Sequence, residues 1–292
     1  MEYLVQIKNL TKKYGANLVL DRINLELPRG QIVALIGENG AGKSTLINII
    51  NNLAQATSGE VVMNISRDKI GVMLQGNMSL SRVKVSESIR LAQSLYPQNM
   101  DYTELLRLST LEVQENQLMT KLSGGQKRRL SFALALAGNP ELIFLDEPTT
   151  GMDPERRASF WTEVKRLSDE GRTFFITSHY LEELENVADR LLLLKDRRIV
   201  FDGTIEQLRS QNAQSEVSFK FSGSFLPKLP AVVKESQVGD FYRLSTSQTN
   251  ELVRELLPYL DNISNLTIKQ NSLENMFHGL MEDLESKEGK LS

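Results

Sequence analysis

One short segment constrains the fold of this chain more than any other feature. Residues 37–45 have the sequence Gly-Glu-Asn-Gly-Ala-Gly-Lys-Ser-Thr, which matches the pattern G-x-x-x-x-G-K-[ST]. An apolar run at residues 31–36 precedes it, and a helix-like run at residues 44–53 follows it. Glycines let consecutive backbone N–H groups point inward around phosphate oxygens, and a helix N-terminus adds positive potential. The segment therefore predicts a phosphate-binding loop between a buried strand and a helix.

Two side chains of this loop have predicted chemical roles. Lys43 is expected to reach the β- and γ-phosphates of a nucleotide, and the Ser44 hydroxyl is expected to bind Mg²⁺. The backbone around them is supplied by neighbours that we also assign to nucleotide binding, namely Asn39, Gly40, Ala41, Gly42 and Thr45.

A second apolar run, at residues 142–145, ends in two carboxylates, Asp146 and Glu147. In open parallel sheets ligands bind at the carboxyl ends of the strands, which is also where the phosphate loop begins. Asp146 is therefore predicted to hold Mg²⁺, in part through water, because this metal keeps several waters. Glu147 is predicted to act as the base or the orienting group for an attacking water.

The order of the apolar runs predicts an α/β fold. A strand at residues 142–145 and another at residues 173–177 flank a helix that begins at Asp153-Pro154 and ends near Gly171. Strand, helix and strand in this order indicate parallel pairing. Residues 77–119 are polar and helix-like, and they predict a helical insertion.

The chain changes character near Gln211, where Ser, Asn and Gln cluster as a linker. Beyond it the pattern predicts strands at residues 217–223 and 240–246, a helix at 251–260, a strand at 265–269 and a helix from Ser272. That last helix has an apolar stripe formed by Leu273, Met276, Phe277, Leu280, Met281 and Leu284. This part is predicted to be a small α+β domain.

Composition argues against one class of function and excludes cysteine-based sites. The formal net charge is -3, which disfavours nucleic-acid binding, and the basic cluster Lys127-Arg128-Arg129 is interpreted as a solvated helix face. Cysteine is absent, so disulfides and thiolate metal sites are impossible. No secretory signal and no run of about 18 apolar residues is recognised. We therefore expect a cytoplasmic protein that serves a membrane only through a partner.

The segment Leu122-Ser123-Gly124-Gly125-Gln126 decides the class of nucleotide-binding protein. It lies between the phosphate loop and the acidic strand, and it is the LSGGQ signature of ABC ATPases, which the chain resembles over residues 1–210. The resemblance implies the P-loop fold of that family: a RecA-like core with an antiparallel β subdomain and a helical subdomain at roughly 77–135. The small α+β domain would then occupy residues 211–292.

The resemblance also assigns roles to residues of this sequence. Tyr14 would stack on adenine, Gln75 would contact Mg²⁺ or the attacking water, and His179 would touch the γ-phosphate. Residues 123–126 and Asp153 would act in trans, facing ATP bound by a second copy, and Asp153 is equally suited to cap a helix. The family thus implies a homodimer with ATP and Mg²⁺ as ligands and a transmembrane permease as partner.

Two further details resemble the ATPase subunits of bacterial drug, antibiotic and lantibiotic-resistance exporters. These are the residues after His179 (Tyr-Leu-Glu-Glu) and the segment at residues 272–277. Three alternatives remain open: the ATPase of an importer, a soluble ABC ATPase acting on ribosomes or DNA, and a non-catalytic ATP-binding regulator. Soluble relatives usually carry two cassettes or a long coiled coil, and neither is found in this sequence. A non-catalytic regulator would need another residue in place of Glu147 or His179, and both residues are present in this sequence.

Overall fold

The computed structural model of the chain describes residues 3–76, 79–178, 181–211, 215–223 and 227–270. The chain divides between Ile205 and Glu206 into two compact units. The strands of the first unit are β1 (Tyr3–Tyr14), β2 (Asn17–Pro28), β3 (Ile32–Ile36), β4 (Ser58–Met63), β5 (Ile70–Met73), β6 (Leu142–Asp146), β7 (Thr173–Ser178), β8 (Arg190–Lys195) and β9 (Arg198–Gly203). Its helices are α1 (Lys43–Ile50), α2 (Val85–Ser94), α3 (Tyr102–Ser109), α4 (Gly124–Leu136), α5 (Pro154–Asp169) and α6 (Leu181–Leu184).

Two sheets form the first unit. The larger has the order β5-β6-β7-β3-β8-β9, with parallel pairing from β5 to β8 and an antiparallel edge strand, β9. The smaller sheet is antiparallel, with the order β2-β1-β4. The strand, helix and strand order of the sequence therefore gives the parallel α/β sheet that it predicts.

Helix α1 and the two sheets share one apolar core. All five residues of β3 and all five of β6 are buried, as expected for parallel strands covered on both faces. Leu20 of β2, Leu35 of β3 and Ile47 of α1 belong to the same cluster. The core thus anchors the segment that joins β3 to α1, where the phosphate-loop sequence lies.

Helix α1 is shorter than the predicted helix at residues 44–53, because it ends at Ile50. Asn52 adopts a left-handed backbone conformation with φ 58°, which a continuing helix does not allow. The side-chain amide of Asn51 also donates to the carbonyl oxygen of Ile47 at 2.9 Å, which already accepts the Asn51 backbone N–H at 3.0 Å.

The predicted helical insertion contains α2 and α3, and α4 follows it. The Asp101 side chain accepts a hydrogen bond from the Glu104 backbone N–H at 3.1 Å and so caps the start of α3.

No helix among the described residues is long and apolar enough to cross a bilayer.

The second unit is built on a four-stranded antiparallel sheet. Helix α7 (Ile205–Gln211) begins at the boundary, and β10 (Ser215–Phe221), β11 (Lys234–Val238), β12 (Phe241–Thr246), α8 (Thr249–Leu256) and β13 (Ile263–Gln270) follow. The strand order is β11-β12-β10-β13. The predicted helix at 251–260 instead ends at Leu256 and continues as a 3-10 turn, because Pro258 cannot donate within an α-helix. The helix predicted from Ser272 lies outside the described residues.

A network of four charged side chains joins α3 to α5. Arg107 donates to both carboxylate oxygens of Glu163, at 2.8 and 3.0 Å, and also to Glu104 at 2.8 Å. Arg166 completes the network with bonds to Glu104 at 2.6 Å and to Glu163 at 2.9 Å. The hydrogen bond from Arg107 lowers the pKa of Glu163 from 4.5 to about 2. Bidentate geometry and several partners favour this network over an isolated surface pair.

We expect Glu163→Gln to lower the free energy of unfolding by about 1 kcal/mol near pH 7, because these charges are partly exposed and screened. Since the pKa of Glu163 is lowered on folding, its contribution is present above pH 4.5 and is lost as the pH falls from there toward about 2. Urea unfolding from pH 7 to pH 2 measures it.

Glu60→Gln on β4 is the matched control, because Glu60 forms none of the ion pairs found among the described residues. The wild type and Glu163→Gln should converge in stability at the acid end, whereas Glu60→Gln should follow the wild type throughout. A Glu163→Gln deficit that persists unchanged to pH 2 would contradict the electrostatic explanation.

Candidate functional site

The phosphate-loop sequence forms a turn between β3 and α1. Gly42 caps α1 with φ 110°, and a Cβ added there would lie 2.8 Å from Cδ2 of Leu20, so only glycine fits. No side chain caps α1 and its first turn holds no acidic residue. The first N–H groups of the helix are therefore available to an anion. Asn39 and Gly40 are exposed, while Ala41, Ser44 and Thr45 are half-buried.

Lys43 is held beneath this turn. Its ammonium group donates to the carbonyl oxygens of Gly37 at 2.7 Å and of Glu38 at 3.0 Å. Burial lowers the pKa of Lys43, and the nearby charges of Glu147 and Asp146 oppose that shift. The side chain is therefore a desolvated cation close to two carboxylates, which suits the binding of phosphate oxygens.

The acidic end of β6 lies beside β7 in the register that the parallel sheet dictates. Asp146 pairs with Thr177, whose hydroxyl donates to Oδ1 of Asp146. The same hydroxyl accepts a hydrogen bond from the Glu147 backbone N–H at 3.0 Å. Thr177 thus fixes both carboxylate residues, whereas the sequence predicts it only as a strand residue. The feature that points to Thr177 is its position at the carboxyl end of a strand that lies beside β6.

Glu147 is held in an unusual backbone conformation. Its φ is 49°, in the left-handed region, which costs about 1–3 kcal/mol for a residue other than glycine. Its carboxylate accepts long hydrogen bonds from Gln75 Nε2 and Thr150 Oγ1, each at 3.5 Å. The strained turn therefore directs Glu147 toward Gln75, and the structure brings these two predicted residues together.

The LSGGQ segment forms the start of α4. Ser123 accepts a hydrogen bond from the Gln126 backbone N–H at 3.3 Å, and the Gln126 side chain accepts one from the Ser123 N–H at 2.8 Å. This reciprocal capping box explains why serine and glutamine stand three residues apart. Gly124 and Gly125 form the first turn between them. Asp153 likewise caps α5, because its side chain accepts a hydrogen bond from the Arg156 N–H at 3.0 Å.

The predictions for Tyr14 and His179 differ in whether the structure describes the residue. Tyr14 ends β1 with 53% of its surface exposed, as a stacking platform requires, and Lys12 Nζ lies 4.4 Å from its ring centroid. His179, predicted to touch the γ-phosphate, lies outside the described residues.

The prediction that residues 127–129 form a solvated helix face is wrong for Arg128, which is only 3% exposed. It occupies the face of α4 that also buries Phe132, four residues later. Its guanidinium reaches the carbonyl oxygens of Gln75 at 3.0 Å and of Glu147 at 2.6 Å. Three neighbouring basic residues look solvated in a sequence, and only the packing of α4 shows which one is buried.

With this geometry established, comparison with known proteins identifies the family. Residues 20–150 match the family model described as ABC transporter. The Nod factor export ATP-binding protein I of Rhizobium etli is 30% identical over 233 residues, which span 75% of this chain and 74% of that protein. The chain belongs to the ABC transporter family of ATP-binding proteins. The daunorubicin resistance protein DrrA3 of Streptomyces coeruleorubidus is 30% identical over 227 residues, 73% of this chain and 72% of that protein.

The solved structures lead to the same family. The dimeric, post-hydrolysis ATP-binding cassette MJ0796 bound to ADP and Pi has a TM-score of 0.62 and 29% identity. The structural match covers 69% of the present chain and 98% of the MJ0796 chain. The present chain is therefore an ATPase, and its ABC fold matches the fold class that the sequence predicts.

We expect Thr177→Val to lower the free energy of unfolding by about 1–3 kcal/mol, because it leaves one buried Asp146 oxygen without the hydroxyl, while the Glu147 N–H keeps its bond to the Thr177 carbonyl oxygen at 3.1 Å. ATP hydrolysis should fall as well. Thr177→Ser is the control, since it retains the hydroxyl. Urea unfolding and steady-state phosphate release measure both effects, and equal losses in the two variants would show that the methyl group matters instead.

Proposed function

We propose that this chain binds ATP with Mg²⁺ between two copies of itself and hydrolyses it to drive a separate membrane-spanning exporter subunit. The observation that supports this most is the gathering of Lys43, Glu147 and Gln75 at the carboxyl edge of one parallel sheet. The LSGGQ segment supports the dimer, because Ser123 is exposed at the start of α4. Among the described residues, no hydrogen bond joins residues 123–126 to residues 37–45 of the same chain.

The residues of the loop fit a nucleoside triphosphate. The uncapped start of α1 and Lys43 would hold the phosphate oxygens, and Tyr14 would stack on the adenine. In the second copy Ser123, Gly124, Gly125, Gln126 and Asp153 would complete the site. The helix that Ser123 caps would then present a second N-terminus to the same phosphates.

The donors present also fit Mg²⁺. Ser44, Gln75 and Asp146 would hold the ion together with phosphate oxygens and water, a set of hard oxygen ligands with one carboxylate. When bound, the ion would neutralise charge on the phosphates. Among the described residues no cluster of three His, Cys, Asp or Glu side chains is found, so binding would depend on the nucleotide.

The proposed reaction assigns proton handling to Glu147. Its carboxylate would accept a hydrogen bond from the attacking water and orient it toward the γ-phosphate. Lys43 and His179 would stabilise the charge on the transferred phosphoryl group.

We expect Glu147→Gln to bind ATP normally, to slow hydrolysis by about 100-fold or more, and to accumulate as an ATP-bound dimer. The amide keeps the shape of the side chain but is a much weaker base than the carboxylate. Light scattering after gel filtration with ATP and Mg²⁺ measures the dimer, and phosphate release measures hydrolysis.

Two further variants serve as controls for this measurement. Lys43→Ala should neither bind ATP nor dimerise, while Glu141→Gln, at the opposite end of β6, should behave as the wild type. A Glu147→Gln protein that turns over at the wild-type rate would remove Glu147 from its assigned role.

The exporter subunit is proposed to dock on an apolar groove beside Gln75. The groove has a volume of about 740 Å³ and lies between β5, α2 and α4. Leu91 and Leu95 on its rim are 53% and 74% exposed, which is unusual for adjacent large apolar residues. Leu74, directly before Gln75, also lines the groove. A partner seated there would contact the backbone that carries Gln75, and it would place this ATPase at the inner face of the membrane.

Export is proposed from the names of similar proteins, which include Nod factor export and daunorubicin resistance ATP-binding proteins. We further propose that the second unit is an accessory domain, since all the residues assigned to the ATP site precede it.

We expect Leu91→Asp to keep the ATPase activity of the isolated subunit and to lose the membrane partner, because a charge would be buried in the apolar contact. Affinity purification from detergent-solubilised membranes of the native host, followed by mass spectrometry, measures the partner. Val113→Asp is the control: Val113 is 92% exposed, and it is not among the residues that line the groove.

Loss of a multi-span membrane protein from Leu91→Asp alone supports the docking groove. Recovery of ribosomal proteins in place of a membrane protein, from the wild type itself, would overturn the transporter proposal in favour of a soluble ABC ATPase.

A further inference from the structure

Arg128 uses all of its hydrogen-bonding capacity on backbone carbonyl groups. It lies in the second turn of α4, five residues after Ser123, and is 3% exposed. A guanidinium has five N–H donors, and five carbonyl oxygens accept from this one. The acceptors are Leu74 at 2.8 Å, Gln75 at 3.0 Å, Pro148 at 3.3 Å, Glu147 at 2.6 Å and Asp146.

This arrangement is costly for the chain, which suggests a specific role. No ion pair found among the described residues includes Arg128, so its charge is buried against dipoles instead of a contacting carboxylate. Burying a cation in this way carries a desolvation penalty, which charge-assisted hydrogen bonds must offset. Its neighbour Arg129 is less buried and donates to one carbonyl oxygen, that of Ser109, at 3.0 Å.

The five acceptors belong to two segments that carry the proposed catalytic side chains. Leu74 and Gln75 follow β5, whereas the other three acceptors end β6 and begin the turn after it. The Glu147 N–H is already bound to Thr177, and Arg128 binds the carbonyl on the other side of the same residue. Both peptide groups that flank the strained Cα of Glu147 are therefore fixed.

We propose that Arg128 is a positioning residue for ATP hydrolysis, which fixes Gln75 and Glu147 relative to each other through their carbonyl oxygens and joins both to α4. The proposal rests on the proposed role of Glu147. Arg128 touches neither nucleotide nor water in this scheme. It acts on the reaction only through the backbone of the two residues that do.

The test compares Arg128→Gln, Arg128→Lys and the control Arg129→Gln in the full chain. Glutamine retains two donors without charge, and lysine retains the charge with three donors. We expect Arg128→Gln to lower kcat by about 100-fold, as a displacement near 1 Å can do, with KM for ATP within about threefold. Arg128→Lys should lose less, and Arg129→Gln should keep wild-type kcat.

A second measurement separates positioning from general destabilisation. In a Glu147→Gln background the catalytic carboxylate is already absent, so adding Arg128→Gln should cause little further loss in single-turnover hydrolysis. Thermal unfolding of each variant accompanies the kinetics. If Arg128→Gln does not fold, Arg128→Lys decides by its split between kcat and KM.

Wild-type kcat in Arg128→Gln would overturn the proposal, as would additive losses in the double variant. Parallel loss of ATP affinity and kcat, or failure of both Arg128 variants to fold, would show that Arg128 serves stability alone. Wild-type hydrolysis by Glu147→Gln would instead overturn the proposed role of Glu147 and remove the Arg128 proposal with it. That result is recognised from the single Glu147 variant before any Arg128 variant is measured.

Discussion

The site depends first on the parallel register of β3, β6 and β7. Ile36 pairs with Ser178, and Asp146 pairs with Thr177, so the three strands end at the same level. Two groups assigned to phosphate chemistry follow these ends directly: the glycine turn follows β3, and Glu147 follows β6. Because the strands are buried on both faces, their register is fixed by the core and not by the loops. The packing of the core therefore sets the positions of the groups at these strand ends.

The same core holds two features that are unfavourable by themselves. Glu147 has a left-handed backbone, and Lys43 is a nearly buried cation whose pKa is lowered by desolvation. Each would relax in an isolated loop. Here the Glu147 N–H is bound to Thr177 and the Lys43 ammonium is bound to two carbonyl oxygens, so neither group can relax without breaking buried hydrogen bonds. Such preorganisation is what charge stabilisation in phosphoryl transfer requires.

The sequence predicted the parts of the site that are encoded locally. The loop at residues 37–45, the acidic strand end and the Asp153 cap are each contained in a short motif, and each has the predicted strand or helix beside it. The sequence did not predict Thr177 or Arg128 as site residues, because their importance comes from partners 18 or more residues away. For Asp146 the partner is 31 residues along the chain, and for Arg128 the Gln75 carbonyl is 53 residues away. The ends of α1 and α8 were missed for a different reason, since Asn52 and Pro258 break helices that the apolar pattern would extend.

Helix α4 joins the two halves of the proposed mechanism in one rigid element. Ser123 caps its start, where a second subunit would bind, and Arg128 lies five residues further, which is about 7.5 Å along a helix axis. A displacement of the helix start by nucleotide in the neighbouring copy would therefore reach the carbonyl oxygens of Gln75 and Glu147 through a single side chain. A flexible contact would absorb such a displacement, but a planar guanidinium with all five donors engaged has little freedom to do so. Closure at one site would then set the catalytic carboxylate of the other, and the groove beside Gln75 would expose the same backbone to the membrane partner.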